Sequence, residues 1–490
     1  MTLRHAALLV LLVGCSVAPA AEPPAFRTGI LPLLTKAGCN SGSCHGAATG
    51  QGGFKLSLLG YDPEQDHLNI THELGGRRTD VASPAASLLL RKATDDLDHE
   101  GGRKIKPGSE VYQTLQAWIK CGASYGDPDL RVKRIEVTPA DNLLSAPGAS
   151  LQLRVMATLS DNTRQDVTSL ALYSSNDDSI AEVNKEGTVS TRGAGSTSIM
   201  VRYSGQAAAA SIAVPFDGPP VSAPEFVPQS FIDEQIIVSL RRLRLPPSPL
   251  SDDTEFFRRV HLDLIGRLPE PAEVRAFLAE PPSDKKRRRV IATLLQRPEF
   301  VDFWTMKFGD WLLIRGVNGE QSPARAFHEW VRQQIASNRP MDQFVRDLLV
   351  AQGDVIRDGP ANFYTIATDP RDMGEHVSSM FLGTQIACAR CHAHPTDRWT
   401  QDDYHAFAAC FSRVTIQSAF VILLAQGEVE HPRTRAAAAP RALGAVAPLP
   451  ASHDRRVPLA DWLTTKWNSF FARNIVNRVW QQLHGRGLVE

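Results

Sequence analysis

The sequence predicts a multidomain protein, mainly α-helical, with an all-β sandwich set between two helical regions. Three observations predict it. Apolar residues recur at helical spacing up to about residue 130 and again from about residue 230, while between them the period is two. Turn-forming residues punctuate that middle stretch at short intervals. At 490 residues the chain is also too long for one hydrophobic core and should divide into roughly three or four domains.

Composition excludes several function classes. Lys+Arg and Asp+Glu are equal at 53 each, so there is neither the basic surplus of a nucleic-acid binder nor the acidic surplus of a cation store. Hydrophobic residues at 43% and charged residues at 22% fit ordinary globular domains rather than a polytopic membrane protein. The run Lys285-Lys286-Arg287-Arg288-Arg289 is the local exception. It follows Ser283-Asp284, a good helix N-cap, and is expected to be the solvated face of a helix.

Residues 1–21 read as a secretory signal: Arg4-His5, an apolar run from Ala6 to Val13, then small residues. Ala18-Pro19-Ala20 offers a cleavage site that releases a soluble protein, whereas Leu12-Val13-Gly14-Cys15 resembles a lipoprotein box that would leave a lipid anchor at Cys15. No other apolar run approaches the roughly 20 residues of a membrane-spanning helix. The expected location is therefore the periplasm or the cell surface.

Residues 22–130 open with Phe26, Ile30, Leu33 and Leu34 at helical spacing, run into Gly38-Cys39, and close on Val111, Leu115, Trp118 and Ile119 before Gly122. Residues 131–217 alternate as Ile135-x-Val137, Leu151-x-Leu153-x-Val155, Ile199-x-Val201 and Ile212-x-Val214. Turn signals at Asp161-Asn162, Lys185-Glu186-Gly187 and Ser204-Gly205 separate them, so the expected fold there is an immunoglobulin-like sandwich. A proline-stiffened linker follows at 218–229. Residues 230–414 are helical again, with Phe256, Val260 and Leu264 on one face up to Gly266 and a second stripe at Phe344, Leu348 and Leu349. Residues 415–457 are Ala/Pro-rich and read as a linker, and 458–490 are too few to form a domain alone.

The cysteines carry the chemistry. Seven are few for an exported chain of this length, and four form two close pairs, each followed directly by histidine. That is not a disulfide scaffold. Cys388-Ala389-Arg390-Cys391-His392 has the spacing of covalent haem attachment: two thiols on a tight turn reach the two vinyl groups of one porphyrin edge, and the next imidazole points at the iron. Cys39-Asn40-Ser41-Gly42-Ser43-Cys44-His45 has four intervening residues, and Gly42 gives the longer loop freedom to pucker. With one helix before it and one closing the region, that loop has the frame of a small c-type cytochrome domain. The expected cofactor is haem c, at two sites. Cys39, Cys44, Cys388 and Cys391 would form the thioethers, and His45 and His392 would be axial iron ligands. A surface disulfide, or a zinc site completed by His394, His405 or Cys410, is the alternative.

Met or His usually completes such an iron. No Met occurs between residues 22 and 130, which leaves His67, His72 and His99. His99, on the loop before the last helix, is the favoured distal ligand. Met373, Met380, His376 and His405 are open for the second site. His394 follows His392 too closely to reach the opposite face of the same haem and reads as a hydrogen-bonding neighbour or part of a separate metal site. Thr400 and Asp403 read as a capping box for a helix whose Tyr404, Phe407 and Phe411 are expected in the core. Gly122-Ala123-Ser124-Tyr125-Gly126 has the Gly-x-Ser-x-Gly pattern but follows a helix, not a strand, and reads as a helix stop.

Longer stretches resemble known families. Cys39 to Gly46, Gly52-Gly53-Phe54-Lys55-Leu56-Ser57-Leu58 and Gly60-Tyr61-Asp62-Pro63 resemble the N-terminal part of exported proteins of the Planctomycete cytochrome C-like type. Residues from about 230 to 414 resemble the domain of unknown function 1549, through Arg258-Arg259-Val260-His261-Leu262-Asp263-Leu264-Ile265-Gly266-Arg267-Leu268-Pro269, Phe381-Leu382-Gly383 and Cys388 through Tyr404. Leu459-Ala460-Asp461-Trp462-Leu463 and Phe470 to Trp480 resemble the start of the domain of unknown function 1553. Ser160-Asp161-Asn162, Asp166-Val167-Thr168, Ser174-Ser175-Asn176-Asp177 and Gly193-x-Gly195 resemble the bacterial immunoglobulin-like group 2 domain. The resemblance implies a cytochrome-like character and assigns no reaction.

The leading expectation is electron transfer through covalently bound haem, with an unidentified redox partner protein. The first alternative is a surface adhesion or polymer-binding protein whose immunoglobulin-like domain contacts polysaccharide or protein and whose Cys-His clusters are structural. The second is a haem-dependent oxidative enzyme. No nucleic acid and no transmembrane span are expected.

Overall fold

The computed structural model describes residues 24–219, 227–315, 322–394 and 397–489. The expected signal segment (residues 1–21), with its expected cleavage site at Ala18-Pro19-Ala20 and Cys15, and most of the expected linker at 218–229 lie outside the described residues.

The N-terminal region is helical and small. A π-helical turn at Phe26–Ile30 leads into α1 (Leu31–Lys36), followed by α2 (Pro63–Thr71), α3 (Leu88–Ala93) and α4 (Glu110–Lys120). Ser109 starts α4 by accepting a hydrogen bond from the Tyr112 N–H at 3.3 Å. Gly122, at φ +89°, stops the chain just beyond it, and Trp118 Nε1 donates back to the Ser124 carbonyl at 2.8 Å. Residues 122–126 thus close a helix, as their pattern implies. Phe26, Ile30, Leu34, Leu56, Ile70, Leu90, Leu115, Trp118 and Ile119 form one core.

The middle region is a β-sandwich built from β1 (Val132–Thr138), β2 (Asp141–Leu143), β3 (Ser150–Gln152), β4 (Arg154–Leu159), β5 (Arg164–Asp166), β6 (Leu172–Ser175), β7 (Ala181–Val183), β8 (Thr188–Thr191), β9 (Gly195–Tyr203) and β10 (Gln206–Val214). Its sheets run β1-β4-β5, β2-β10-β9-β6 and β3-β8-β7. The period-two residues Leu153, Val155, Val189, Ile199, Val201, Ile212 and Val214 are all buried in its core, while Gln152, Arg154 and Ser190 beside them are exposed and Ala213 is buried as well. Ser204 and Gly205 join β9 to β10 with φ of +48° and +78°, the two left-handed positions of a tight primed hairpin turn. The sandwich rests on the N-terminal region. The Tyr203 hydroxyl donates to the Thr28 carbonyl, and Lys36 Nζ donates to the carbonyls of Ala171 and Lys185.

The C-terminal region begins with α5 (Phe231–Leu243), α6 (Asp253–Ile265), α7 (Pro271–Ala279), α8 (Asp284–Leu294) and α9 (Pro298–Trp311). Val260, Ile265 and Leu294 form a small core there, with Phe256 and Leu264 packed on it. Ser283 caps α8 as its sequence implies, but the basic run is not wholly solvated. Lys286 is 2% exposed: its ammonium meets Asp253 at 2.6 Å and donates to the Phe277 and Glu280 carbonyls. Arg287 also reaches Asp253, at 2.8 Å. A carboxylate on α6 has drawn two cations out of water, a partner too distant in sequence to show in the charge run.

The larger core joins α10 (Ser322–Ala336), α11 (Met341–Leu349), β11 (Gly353–Asp354), α12 (Pro370–Val377), α13 (Gln401–Ala408), β12 (Val414–Gln417), β13 (Phe420–Leu423), α14 (Arg456–Leu463) and α15 (Ser469–His484). Phe344, Leu348 and Leu349 are buried in it, as their stripe requires. The Ala/Pro-rich stretch 415–457 is more than a tether. It contributes β12 and β13, and Val421, Val429 and Leu443 are buried. Val421 and Leu443 pack into the large core, and Val429 into a small cluster with Ala408 and Ala409. Leu459, Ala460, Leu463 and Phe471 extend the same core, which gives the last segment the support it could not make alone. Among the described residues no helix is long and apolar enough to cross a membrane.

Candidate functional site

The first Cys-His loop is wound against the end of α1. Gly38, at φ +82°, turns the chain. The Cys39 N–H then donates to the Leu34 carbonyl at 3.0 Å and the His45 N–H to the Cys39 carbonyl at 3.1 Å, closing residues 39–45 into a ring. A Cβ on Gly46 would stand 2.2 Å from the Asn40 carbonyl oxygen, so the loop closes only with glycine there. Burial and the neighbouring Cys44 push the Cys39 thiol up to about 11, so that thiol stays protonated near neutral pH.

His45 and His99 face each other across a cavity of about 610 Å³ that Cys39 and Cys44 also line. That is the size of a small-molecule or cofactor pocket. Leu34, Phe54, Leu56 and Leu89 make its apolar walls, and Arg77, Lys92 and Lys104 bring positive charge to it. His45 Nδ1 donates to the Phe54 carbonyl at 3.0 Å, and His99 Nδ1 donates to the Gly102 carbonyl at 2.9 Å. A carbonyl only accepts, so each neutral ring keeps Nε2 as its lone-pair nitrogen. Burial lowers the pKa of His45 and favours that neutral form. The rings are near parallel, at 16°, with centroids 6.1 Å apart. Two imidazoles binding one metal from opposite sides at about 2 Å have centres roughly 6 Å apart. The residues present therefore fit a metal-centred planar cofactor with two thiol attachment points.

The other two histidines of this region are engaged elsewhere. His67 Nε2 donates to the Ala123 carbonyl at 2.7 Å within a ring cluster of Phe26, Trp118 and Tyr125, and His72 bonds Thr71 Oγ1 at 2.6 Å. Of the three candidates named from the sequence, His99 is the one that lines the cavity.

The second Cys-His turn lies before α13. Cys388 sits in a short 3-10 turn, Ala387–Arg390, and its carbonyl accepts from the N–H groups of both Cys391 and His392 at 3.4 Å. Ala389 is fully buried and anchors the turn, and Arg390 pairs with Asp372 at 2.7 Å. Both thiols are exposed, and His392 Nδ1 donates to the Ala393 carbonyl at 2.8 Å. His394 lies close to His392 and Asp397, and burial lowers its pKa. The capping box forms: Thr400 N–H donates to Asp403 Oδ2 at 3.0 Å and Asp403 N–H to Thr400 Oγ1 at 3.2 Å. Tyr404, Phe407 and Phe411 are core residues.

The distal candidates named for this site are placed differently from His99. Met373 and Met380 are packed in the large core, and His376 is half-buried on α12. His405 is buried, with Nε2 on the Arg390 carbonyl and its ring 5.2 Å from His431. What faces the His392 ring is Tyr61 from the N-terminal region, 6.2 Å between centroids. Sequence reasoning missed this residue, whose only signal was its place in Gly60-Tyr61-Asp62-Pro63. Cys39, Cys44, Cys121, Cys388, Cys391 and Cys410 are all free thiols. Among the described residues no group of three or more His, Cys, Asp or Glu is arranged to hold a metal ion by itself.

The chain on either side of Tyr61 is braced by a buried carboxyl. Asp66 accepts from the Ser57 N–H at 2.5 Å and from Ser57 Oγ at 2.6 Å, and Ser57 Oγ accepts from the Asp62 N–H at 2.9 Å. Burial pushes Asp66 up to about 7. Since its folded pKa lies above the unfolded value, the folded state holds the extra proton between about pH 4 and 7. Stability should therefore fall as pH rises through that window, by up to about 4 kcal/mol, and level off above it. Urea midpoints at pH 5 and pH 8 measure this, and Asp66→Asn should flatten the difference.

Residues 231–416 match the family described as Protein of unknown function (DUF1549). Residues 131–212 match the Bacterial Ig-like domain (group 2), and residues 455–490 match Protein of unknown function (DUF1553). The chain joins these three domains. No curated protein matches it. The Ig-like match covers the sandwich from β1 into β10, and the DUF1549 match runs from α5 to β12 and includes the second Cys-His turn. The DUF1553 segment supplies α14 and α15, which complete the core of the DUF1549 domain.

Proposed function

We propose that this is an exported electron-transfer protein that binds haem covalently at two Cys-His sites, one in a cytochrome c-like N-terminal domain and one in the DUF1549 domain. The observation that carries the reading is the first cavity, where Cys39, Cys44, His45 and His99 converge. Cys39 and Cys44 would hold the group covalently, and His45 and His99 would bind its iron through Nε2 while their Nδ1–H groups stay on backbone carbonyls. Arg77, Lys92 and Lys104 would balance the carboxylates of the group. Haem supplies a one-electron couple when bound. The protein's part is to saturate the iron, exclude water with Leu34, Phe54 and Leu56, and set the local charge.

Two imidazoles on one iron would favour electron transfer over substrate chemistry, because a reacting substrate needs an open coordination position. At the second site Cys388, Cys391 and His392 would hold the group in the same manner, with thiols that face solvent. The Ig-like domain would then contact a cell-surface polysaccharide or protein, and the exposed second site would meet the redox partner. The test is an intact mass on full-length protein made in a host with cytochrome c maturation machinery. Two covalent haem adducts per chain are expected; none would reject the reading, and one would confine it to a single site.

A further inference from the structure

Tyr61 lies far from Cys391 and His392 in sequence and beside them in space. Its ring is 6.2 Å from that of His392 at an angle of 43°, and Asp62 meets Arg433 at 3.8 Å next to it. The segment that presents it is braced at both ends. Leu56 lines the first cavity and its N–H donates to the His45 carbonyl at 2.8 Å. The Leu59 N–H donates to the Asn40 carbonyl at 3.0 Å, and Gly60, at φ +76°, packs where a Cβ would press on Leu31 at 3.0 Å. Ser57 and Asp66 hold Asp62, and Asp62 starts α2. One short, rigid segment therefore borders both Cys-His sites.

We propose that Tyr61 is a positioning residue for the second Cys-His site: the N-terminal region supplies the wall against which His392 is seated, and the site is complete only when the two regions are docked. One further observation agrees. None of the side chains from the DUF1549 domain named as distal candidates makes a ring contact with His392 among the described residues; Tyr61 does. That the seated imidazole serves an iron rests on the haem reading, but the seating itself does not.

The experiment uses the full chain twice. Protein made without haem maturation is labelled with diethyl pyrocarbonate and iodoacetamide, and the rates at His392 and Cys391 are read by peptide mass. Tyr61→Ala should speed both several-fold, Tyr61→Phe should match wild type, and the exposed His453 should not change. Arg433→Glu, which sets a like charge against Asp62, should act in the same direction as Tyr61→Ala. In matured protein, Tyr61→Ala should shift the electron paramagnetic resonance signal of the second site and Tyr61→Phe should not. Equal labelling rates in wild type and Tyr61→Ala, with an unchanged thermal transition, overturn the proposal. Absence of haem in matured wild type rejects the electron-transfer reading instead, and the labelling rates then decide Tyr61 alone.

Discussion

Replacing Arg456 with alanine is expected to destabilise the DUF1549 domain by about 3–5 kcal/mol. Arg456 begins α14 in the DUF1553 segment and is 0% exposed. Its Nε and one terminal nitrogen form a two-pronged bond to Asp454 at 2.9 and 2.8 Å, and the other terminal nitrogen donates to the Ala351 carbonyl at 2.8 Å. The guanidinium also lies 5.0 Å from the centre of the Tyr364 ring, whose hydroxyl burial pushes up to about 12 and so keeps neutral. Alanine would leave the Asp454 carboxylate without its partner, the Ala351 carbonyl unsatisfied, and a void against Tyr364. Truncating one half of a buried pair costs more than replacing both halves with apolar groups. Arg456→Met combined with Asp454→Leu should therefore recover most of the loss. Guanidinium melts of the full chain measure both, and a loss below about 1 kcal/mol for Arg456→Ala would mean that the pair does not tie the last segment to the core.

The parts of this molecule that could be read from the sequence are those whose determinants are local. The sandwich shows as alternation because each strand carries its own buried face, and Ser204-Gly205 shows as a turn because two left-handed residues are needed there. Both Cys-His sites show as spacing, since the residues involved are neighbours in the chain. The absence of Met leaves three histidines in the region, His99 stands out by its place on the loop before the last helix, and that loop brings it to His45. What could not be read is packing between distant segments. Lys286 finds Asp253, Arg456 finds the Ala351 carbonyl, and Tyr61 finds His392 through contacts that leave no period in the sequence. The stretch 415–457 was hidden for a related reason: its apolar run from Phe420 to Leu424 is short, and Val429 and Leu443 are isolated apolar residues that matter only once the cores they plug exist. Met373 and Met380 looked like ligands by type alone, and their side chains are spent on the core.

His99→Ala should open one iron per chain in matured protein without releasing the haem. In the proposed pocket the group is held by Cys39 and Cys44 and by His45 from one side, so losing His99 removes only the ligand opposite. Alanine leaves no other imidazole to take its place among the described residues, because His67 is tied to the Ala123 carbonyl and His72 to Thr71. An iron that loses one of two strong axial imidazoles turns high-spin or takes water, and when reduced it binds carbon monoxide. The measurement is the Soret band of the dithionite-reduced protein before and after carbon monoxide. Relative to wild type, the responsive share should rise by one haem per chain in His99→Ala and stay unchanged in His67→Ala. His45→Ala should cost more, since it removes the imidazole fixed by the attachment loop itself and leaves His99 to hold the iron from the far side. If His99→Ala responds as wild type does, another side chain completes that iron, and the 6.1 Å spacing of the two rings is a packing contact and not a ligand pair.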